Sequence, residues 1–351
     1  SDLKAIRMET SAMGGDSHIW VRNMKINIGP RRVIPLCVAA VKYPGFLETL
    51  RKGRIPGTMH LEENVQPTKF FVRTGLEPSD LGKLEKELFD RIGDFPTSLN
   101  DIFWETQKTL FPGLLDSLIR KRLIQAIGFT PTDALHVLGE YTEWDEEASK
   151  VGAKLLERYT QIDHIELCKQ IKKDVARNMA LNLLSFVLKD VPPKEIEKIL
   201  LSDRFIQFRM KIPVVLIGGP VVAYIKELKQ ILDAEIIVPE HAKVGNAVGA
   251  VMGKGIKRLE ILIKSTYSKD KKRMVLLFSP LGREIFGSYP EALEYADTLG
   301  RRLVMEYMTE SGFDKGQVQI EVSKKDISLS ETGAIPVETK LVFVGVGLPN
   351  V

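Results

Sequence analysis

The chain has 351 residues, of which 44% are hydrophobic and 27% are charged, a composition that fits a globular protein of two to three domains. Fifty Lys and Arg residues against 46 Asp and Glu residues give a net charge of +4. Because this excess is small and spread along the chain, charge does not indicate a nucleic-acid or membrane partner.

The cysteines and the longest apolar run limit the environment that we expect. Cys37 and Cys168 are too few for a disulfide framework, and neither has a Cys or His neighbour at zinc-finger spacing. The longest apolar run, residues 212–225, is interrupted by Gly-Gly-Pro and is too short to span a bilayer. We therefore expect a cytoplasmic chain that does not cross a membrane.

Residues 1–60 have the pattern of short strands joined by tight turns. Before the first strand, Gly14 and Gly15 are followed by Asp16, Ser17 and His18. A carboxylate, a hydroxyl and an imidazole after a flexible turn fit a catalytic site, and they fit a β-hairpin turn equally well. The predicted strands are HIWVR (18–22), KINI (25–28) and RVIPLCVAA (32–40).

Residues 61–126 combine one strand with three short helices. The strand is TKFFVRTG (68–75), and the helical patterns are EPSDLGKLEKELFDRIG, FPTSLNDIFWETQ and PGLLDSLIRKRLIQAIGF. Helices of this size resemble a winged helix-turn-helix, in which Arg120, Lys121 and Arg122 of LIRKRL contact DNA. The alternative is a helical insertion with a solvated basic face. We favour the insertion, because the acidic EKELFDRIGD beside it would repel phosphate.

Residues 131–256 alternate helices and strands, which predicts a sheet flanked by helices. Thr130, Pro131 and Asp133 fit a capping box at the start of the helix TPTDALHVLGEY. The predicted elements that follow are the helix TEWDEEASKVGAKLLERY, an amphipathic helix with Cys168 on its apolar stripe, the fully buried strand IPVVLIGG, the helix PVVAYIKELKQIL, the strand EIIVPE and the helix HAKVGNAVGAVMGKGI.

The strand IPVVLIGG ends at Gly218 and Gly219, and Pro220 begins the next helix, where a missing N–H has no cost. Glycines at the carboxyl end of a strand let a flat or anionic ligand approach the backbone, and the helix N-terminus adds positive potential. The turn therefore fits a nucleotide site, and it fits a tight strand-to-helix connection equally well.

The helix HAKVGNAVGAVMG carries Gly245, Gly249 and Gly253 at a spacing of four residues. Each glycine costs about 1 kcal/mol of helix stability relative to Ala in a helix interior. We therefore predict that another part of the molecule packs closely against this face of the helix and offsets the cost. We expect Gly249 and Gly253 to pack against a sheet and Asn246 to make a polar contact. Beyond this helix, residues 257–351 alternate strands with one long helix and predict an α+β domain.

The segments METSAMGGDSHIWV, GPRRVIPL, GFTPTDALHVLGEY, IGGP and VPEHAKVGNAVGAVMG, in this order, resemble the hydantoinase/oxoprolinase family, the A-type subunit of N-methylhydantoinases and their relatives. The resemblance covers most of residues 1–60 and 127–256. It extends more loosely to the last domain, and it implies an actin-like (ribonuclease H-like) ATPase lobe in these two ranges. The helical, winged-helix-like insertion at 61–126 and the C-terminal α+β domain are predicted from the residues themselves.

The resemblance also implies a function. Members of the family use ATP with Mg²⁺ to activate a cyclic amide or a carbonyl, commonly with a B-type partner subunit. It implies that Gly218, Gly219, Pro220 and Asn246 contact the nucleotide. Asp16, Ser17 and Asp133 are implied catalytic residues.

The sequence departs from the family in two respects. The helical insertion at 76–126 is not general in the family, and the phosphate loops differ as well. The two Asp-x-Gly-Gly-Thr-like phosphate loops of the family do not occur in this sequence, so we expect about the C-terminal half of a family member, with Mg²⁺ held largely outside this part. A sensor domain of a winged-helix regulator and a non-catalytic scaffold subunit are the alternative functions.

Overall fold

A computed structural model describes residues 11, 13–106, 112–202, 207–252, 255–267, 273–327 and 336–347. The chain divides into two compact units, Ser1–Lys243 and Val244–Val351. The division precedes the helix Gly245–Met252, whereas the sequence predicted a boundary at residue 256. Helices and several sheets occur together, so the mixed α/β class is confirmed.

The strands of the first unit are short and form several small sheets. β1 pairs with β2 in an antiparallel hairpin, and the order β3-β5-β4 forms a three-stranded sheet. Two parallel pairs, β6 with β8 and β7 with β9, complete the set among the described residues. The strands are β1 (Ser17–Arg22), β2 (Lys25–Arg32), β3 (Ile34–Pro35), β4 (Phe70–Arg73), β5 (Ile124–Gly128), β6 (Phe208–Arg209), β7 (Val214–Val215), β8 (Leu232–Asp233) and β9 (Ile236–Ile237).

Helices supply most of the core of the first unit, where α6 packs against α7 and α8. Cys168, Ile171 and Val175 on α8 are buried, as the apolar stripe predicted. The helices are α1 (Leu36–Lys42), α2 (Phe46–Lys52), α3 (Lys83–Arg91), α4 (Leu99–Thr106), α5 (Pro112–Arg120), α6 (Pro131–Val137), α7 (Glu146–Thr160), α8 (His164–Val187), α9 (Pro193–Leu201) and α10 (Ile225–Ile231).

The predicted strand at residues 32–40 is wrong beyond β3, because the chain turns into helix α1 at Leu36. The N–H groups of Leu36 and Cys37, which have no partner within a helix, donate to the carboxylate of Asp133 at 3.1 and 2.9 Å. A side chain almost a hundred positions away therefore caps this helix, and no local pattern indicates it.

The predicted fully buried strand IPVVLIGG is also wrong. Only Val214 and Val215 are in a strand, β7, whose partner in the described structure is the equally short β9. Val215 and Ile217 are 51% and 54% exposed, and only Leu216 between them is buried. A central, buried strand leading into the glycine turn is therefore absent, which removes the burial argument for a nucleotide at this turn.

The insertion contains three helices, α3, α4 and α5, as predicted, and they share an apolar cluster that includes Leu88, Ile102 and Leu118. The expected recognition helix ends at Arg120, and the following residues become strand β5. Arg120, Lys121 and Arg122 are exposed, as expected for a solvated face.

The second unit begins with α11 (Gly245–Met252) and is built on a five-stranded antiparallel sheet of order β12-β11-β10-β14-β13. Helix α12 (Tyr289–Glu310) packs across β10 and β14. The strands are β10 (Gly255–Tyr267), β11 (Arg273–Ser279), β12 (Gly282–Phe286), β13 (Gln319–Ile327) and β14 (Glu338–Gly347). The predicted α+β character of this region agrees with these elements.

The helices formed by the described residues include none that combines the length and the apolar character needed to cross a bilayer.

Candidate functional site

The turn before β1 is held by the side chain of Ser17. The Gly14 N–H donates to Ser17 Oγ at 2.8 Å, and the Ser17 N–H donates to the Gly14 carbonyl at 3.1 Å. Ser17 is fully buried. The hydroxyl that the resemblance assigns to chemistry therefore has a structural contact in the turn.

Asp133 is the centre of a buried hydrogen-bond network. Beyond the two N–H groups of α1, its carboxylate accepts from Ser149 Oγ at 2.9 Å and from Thr130 N and Oγ1 at 2.9 and 2.8 Å. The capping box predicted at Thr130 is therefore confirmed. Asp133 is fully buried and both of its oxygens accept hydrogen bonds, so its carboxylate has a structural role in the starts of α1 and α6.

Segments that are distant in sequence meet at Gly15. The Gly15 carbonyl accepts from Thr132 N at 3.0 Å and from Thr132 Oγ1 at 2.7 Å. A Cβ placed on Gly15 would lie 2.9 Å from Thr132 Oγ1 and 3.5 Å from Pro220 Cγ. The glycine turn before β1, the start of α6 and the Gly-Gly-Pro turn thus form one corner of the first unit, which we call the motif corner.

The Gly-Gly-Pro turn has a backbone conformation that favours glycine. Gly218 has φ of +140°, and its N–H donates to the Ala242 carbonyl at 2.8 Å. A Cβ on Gly219 would lie 3.3 Å from the Tyr141 hydroxyl oxygen. The turn is therefore tied to the segment before α11, and the hydroxyl end of Tyr141 lies close to the space that a side chain at position 219 would occupy.

Tyr141 and Lys243 belong to the motif corner, although the sequence did not single them out. The Tyr141 hydroxyl donates to Glu143 Oε2 at 2.7 Å, and Lys243 forms an ion pair with the same carboxylate. The Lys243 ammonium lies 5.9 Å from the centre of the Tyr141 ring. Burial, with Glu143 adding to it, raises the pKa of Tyr141 to about 12, so the hydroxyl stays protonated.

Asn246 lies in α11 and therefore in the second unit, whereas Gly218, Gly219 and Pro220 lie in the first. Its side chain is exposed. A Cβ on Gly249 would meet nothing within 4 Å, so the predicted close packing at Gly249 is wrong for the described residues. Gly253 lies outside the described residues.

A cavity of about 560 Å³ opens on the other side of Asp16, and we call it the arginine cavity. Its lining includes Asp16, Arg31, Arg32 and Lys69. Asp16 is the one implied catalytic residue that lines a described cavity. Its carboxylate accepts from Arg32 at 2.6 Å, and Arg31 forms ion pairs with Glu63 and Asp116.

Lys69 and His18 form a buried pair beside the arginine cavity. Lys69 is 1% exposed and His18 is fully buried, and Lys69 Nζ lies 3.3 Å from His18 Nδ1. Gly128 makes room for the imidazole, since a Cβ there would lie 2.7 Å from His18 Cδ2. Within the described residues, His18 Nε2 has no hydrogen-bond partner.

The surroundings of this pair disfavour positive charge. Burial lowers the pKa of Lys69 to about 7, an effect that Glu63 opposes and Arg31 reinforces. Burial, together with the charges of Lys69 and Arg31, lowers the pKa of His18 well below its usual value. The imidazole is therefore neutral at pH 7 and can accept a hydrogen bond from the lysine through Nδ1.

Glu157, Asp163 and His164 form the cluster of possible metal ligands found among the described residues. Hydrogen bonds within the cluster and to the start of α8 explain why these three side chains lie together. His164 Nδ1 lies 2.9 Å from Glu157 Oε2, and Asp163 Oδ1 caps helix α8 by accepting from the N–H of Ile165 at 3.0 Å. This cluster is therefore explained by the junction of α7 and α8.

Comparisons of the chain with protein-family models, with curated proteins and with solved structures find no match in any of the three.

Proposed function

We propose that this chain is the C-terminal portion of an ATP-dependent amidohydrolase of the hydantoinase/oxoprolinase type, which activates a cyclic amide or a carbonyl by phosphorylation. The observation that carries the proposal is the motif corner. Three of the segments on which the resemblance depends meet at Gly15, because its carbonyl accepts two hydrogen bonds from Thr132 and a Cβ at this position would lie 3.5 Å from Pro220. Distant segments gathered around small residues are typical of a ligand site.

The motif corner fits the adenosine end of ATP. Gly218 and Gly219 expose backbone without side chains, Tyr141 offers an aromatic face, and Lys243 adds a positive charge partly balanced by Glu143. A triphosphate with Mg²⁺ needs further cations and oxygen ligands. The described residues of this corner do not supply them, so we assign the phosphates and Mg²⁺ to residues elsewhere.

When bound, ATP supplies the phosphoryl group that makes an amide carbon electrophilic enough for water to attack. Asp16 is the side chain placed to bind the substrate, because it lines the arginine cavity and is adjacent to Gly15 in the chain. Arg32 donates to this carboxylate and orients it as an acceptor for a substrate N–H or for the attacking water. Ser17 and Asp133 maintain the turn and the helix starts around it. We also propose a B-type subunit as the partner and the cytoplasm as the location.

Saturation-transfer NMR with Mg²⁺-ATP and the purified chain tests the nucleotide part of this proposal. We expect weak binding, with a dissociation constant of about 1 mM, because the described corner holds one end of the nucleotide only. Gly219→Val should abolish binding, since the new side chain fills the space beside Tyr141. Gly113→Val is the matched control, because a Cβ there meets nothing within 4 Å.

Tryptophan fluorescence during urea unfolding shows whether each variant is folded. Should Gly219→Val fail to fold, Gly219→Ala replaces it, because its Cβ needs a shift of only a few tenths of an ångström from the Tyr141 hydroxyl. Equal ATP affinity in a folded Gly219 variant and in the wild type would exclude a nucleotide at this turn.

A further inference from the structure

The arginine cavity contains basic groups whose charges are unequally balanced. Four basic residues line it, Arg31, Arg32, Lys69 and Arg122, together with the acidic Asp16. Asp16 engages Arg32, while Glu63 and Asp116 engage Arg31. These acids pair with the two neighbouring arginines, whereas Lys69 and Arg122 form no ion pair with the described residues.

Lys69 is the buried member of that pair. No carboxylate oxygen of the described residues lies within 4 Å of its Nζ, and the polar atom that it contacts is His18 Nδ1 at 3.3 Å. An ammonium group that is 1% exposed and has no ion-pair partner is costly, because it has lost its water and the attraction of the more distant Glu63 offsets only part of that loss. A ligand that brings a negative charge into the cavity removes this cost.

The position of Lys69 is fixed by contacts that have no other evident role. Gln66, three residues earlier, accepts from the Val21 N–H and donates to the Val21 carbonyl, both at 3.0 Å. This two-point contact ties the segment before β4 to β1, where His18 lies. The neighbouring Thr68 is also buried, and its hydroxyl has no partner among the described residues. The segment that carries Lys69 into the cavity lining therefore holds a second buried polar group without a partner among the described residues.

We propose that the arginine cavity binds a small organic anion, whose carboxylate or phosphate group pairs with Lys69. His18 accepts a hydrogen bond from the lysine and keeps the ammonium oriented, while Arg122 at the exposed edge adds attraction for an approaching anion. The cavity volume of about 560 Å³ suits a ligand of metabolite size. Asp16, to which the proposed function assigns the substrate, lines the same cavity, so the anion would occupy that proposed substrate site. Its binding needs neither ATP nor Mg²⁺, and its test therefore succeeds or fails separately from the nucleotide test.

Binding should weaken as the pH rises, because the anion pairs with the protonated lysine. The pKa of Lys69 is lowered to about 7, and the groups that influence it are His18, Glu63 and Arg31. His18 is neutral across the range used here, since its own pKa is lowered. An anion that binds only the ammonium form loses about 25-fold in affinity between pH 6.5 and pH 8.5.

Ligand-observed NMR titrations of the full chain with succinate and with glycerol 3-phosphate test this proposal and distinguish a carboxylate from a phosphate source. We expect at least one of them to bind, with an affinity that falls steeply with pH. Lys69→Met should weaken binding at pH 6.5 by tenfold or more. Lys25→Met, a change at an exposed lysine of the β1–β2 hairpin, should leave it unchanged.

Lys69→Arg separates charge from structure. It keeps a positive charge over the whole pH range, so binding should persist and its pH dependence should disappear. Absence of binding by both anions to the wild type at pH 6.5 would overturn the proposal. Unchanged affinity in a folded Lys69→Met variant would overturn it as well, because the anion would then be held by other groups.

Discussion

Replacing Lys69 with Met should stabilise the first unit, and the gain should be largest at and below about pH 7 and decrease as the pH rises toward about 10.4. Methionine has about the length of lysine and fills the same buried space without a charge to desolvate. Because burial lowers the pKa of Lys69 to about 7 in the folded protein, the folded state has to give up a proton that the unfolded chain keeps. The Met variant has no such proton to lose, so it does not carry this free-energy cost of folding.

The size of the effect follows from the two pKa values. An unfolded lysine has a pKa of about 10.4, so between pH 7 and that value the unfolded chain binds more protons and wild-type stability rises with pH. Each pH unit in this range is worth about 1.4 kcal/mol, slightly less near pH 7, where folded Lys69 is half protonated. From pH 7 to pH 9 the wild type should therefore gain about 2 kcal/mol relative to Lys69→Met.

Urea unfolding followed by tryptophan fluorescence measures this difference. Trp20, Trp104 and Trp144 all lie in the first unit, so the signal reports that unit alone. The relevant quantity is the free energy of unfolding of the wild type minus that of the variant, because other titrating groups contribute equally to both. Lys25→Met is the control for the substitution itself. A difference that stays constant between pH 7 and pH 9 would refute the argument that burial of Lys69 is uncompensated.

Three further changes test the packing of the first unit with the same assay. Asp133→Asn should cost about 3 kcal/mol, because an NH₂ group then faces N–H and hydroxyl donors in a buried network; a loss below roughly 1 kcal/mol would contradict the network. Lys172→Met should also cost about 3 kcal/mol, since Lys172 Nζ pairs with Glu140 at 2.6 Å and with the half-buried Glu227 at 2.9 Å. The exposed Lys169→Met on the same helix is its control, and equal effects of the two changes would exclude a special role for the buried pair. Changing Arg120, Lys121 and Arg122 together to Gln should alter stability by no more than about 1 kcal/mol, and a larger loss would show that this basic face is part of the core.

Local patterns were most informative where a segment carries its own stabilising contacts. The capping box at Thr130 and the apolar stripe of α8 were both predicted, since a cap joins residues three apart and a helical stripe repeats every turn. The three helices of the insertion were predicted for the same reason, although the last one ends at Arg120 rather than continuing into β5.

The predictions were wrong where neighbours far along the chain decide the structure. An apolar run such as residues 32–40 fits a strand or a short buried helix, and the carboxylate of Asp133 supports the helix by capping its first N–H groups. The run before Gly218 was predicted to be buried, yet Val215 and Ile217 are exposed because β7 has only a short partner strand among the described residues.

The candidate sites divide in the same way. The sequence by itself determined which small and polar residues cluster along the chain: Gly14 to Ser17, the cap at Thr130 and the turn at Gly218. Only the tertiary structure decided that these three segments meet at Gly15. The tertiary structure decided as well that the carboxylate of Asp133 accepts hydrogen bonds from backbone N–H groups. It also decided that Lys69, which stands in the sequence as an ordinary charge before a strand, is buried beside His18, because burial depends on which distant segments pack around a side chain and not on its neighbours in the chain.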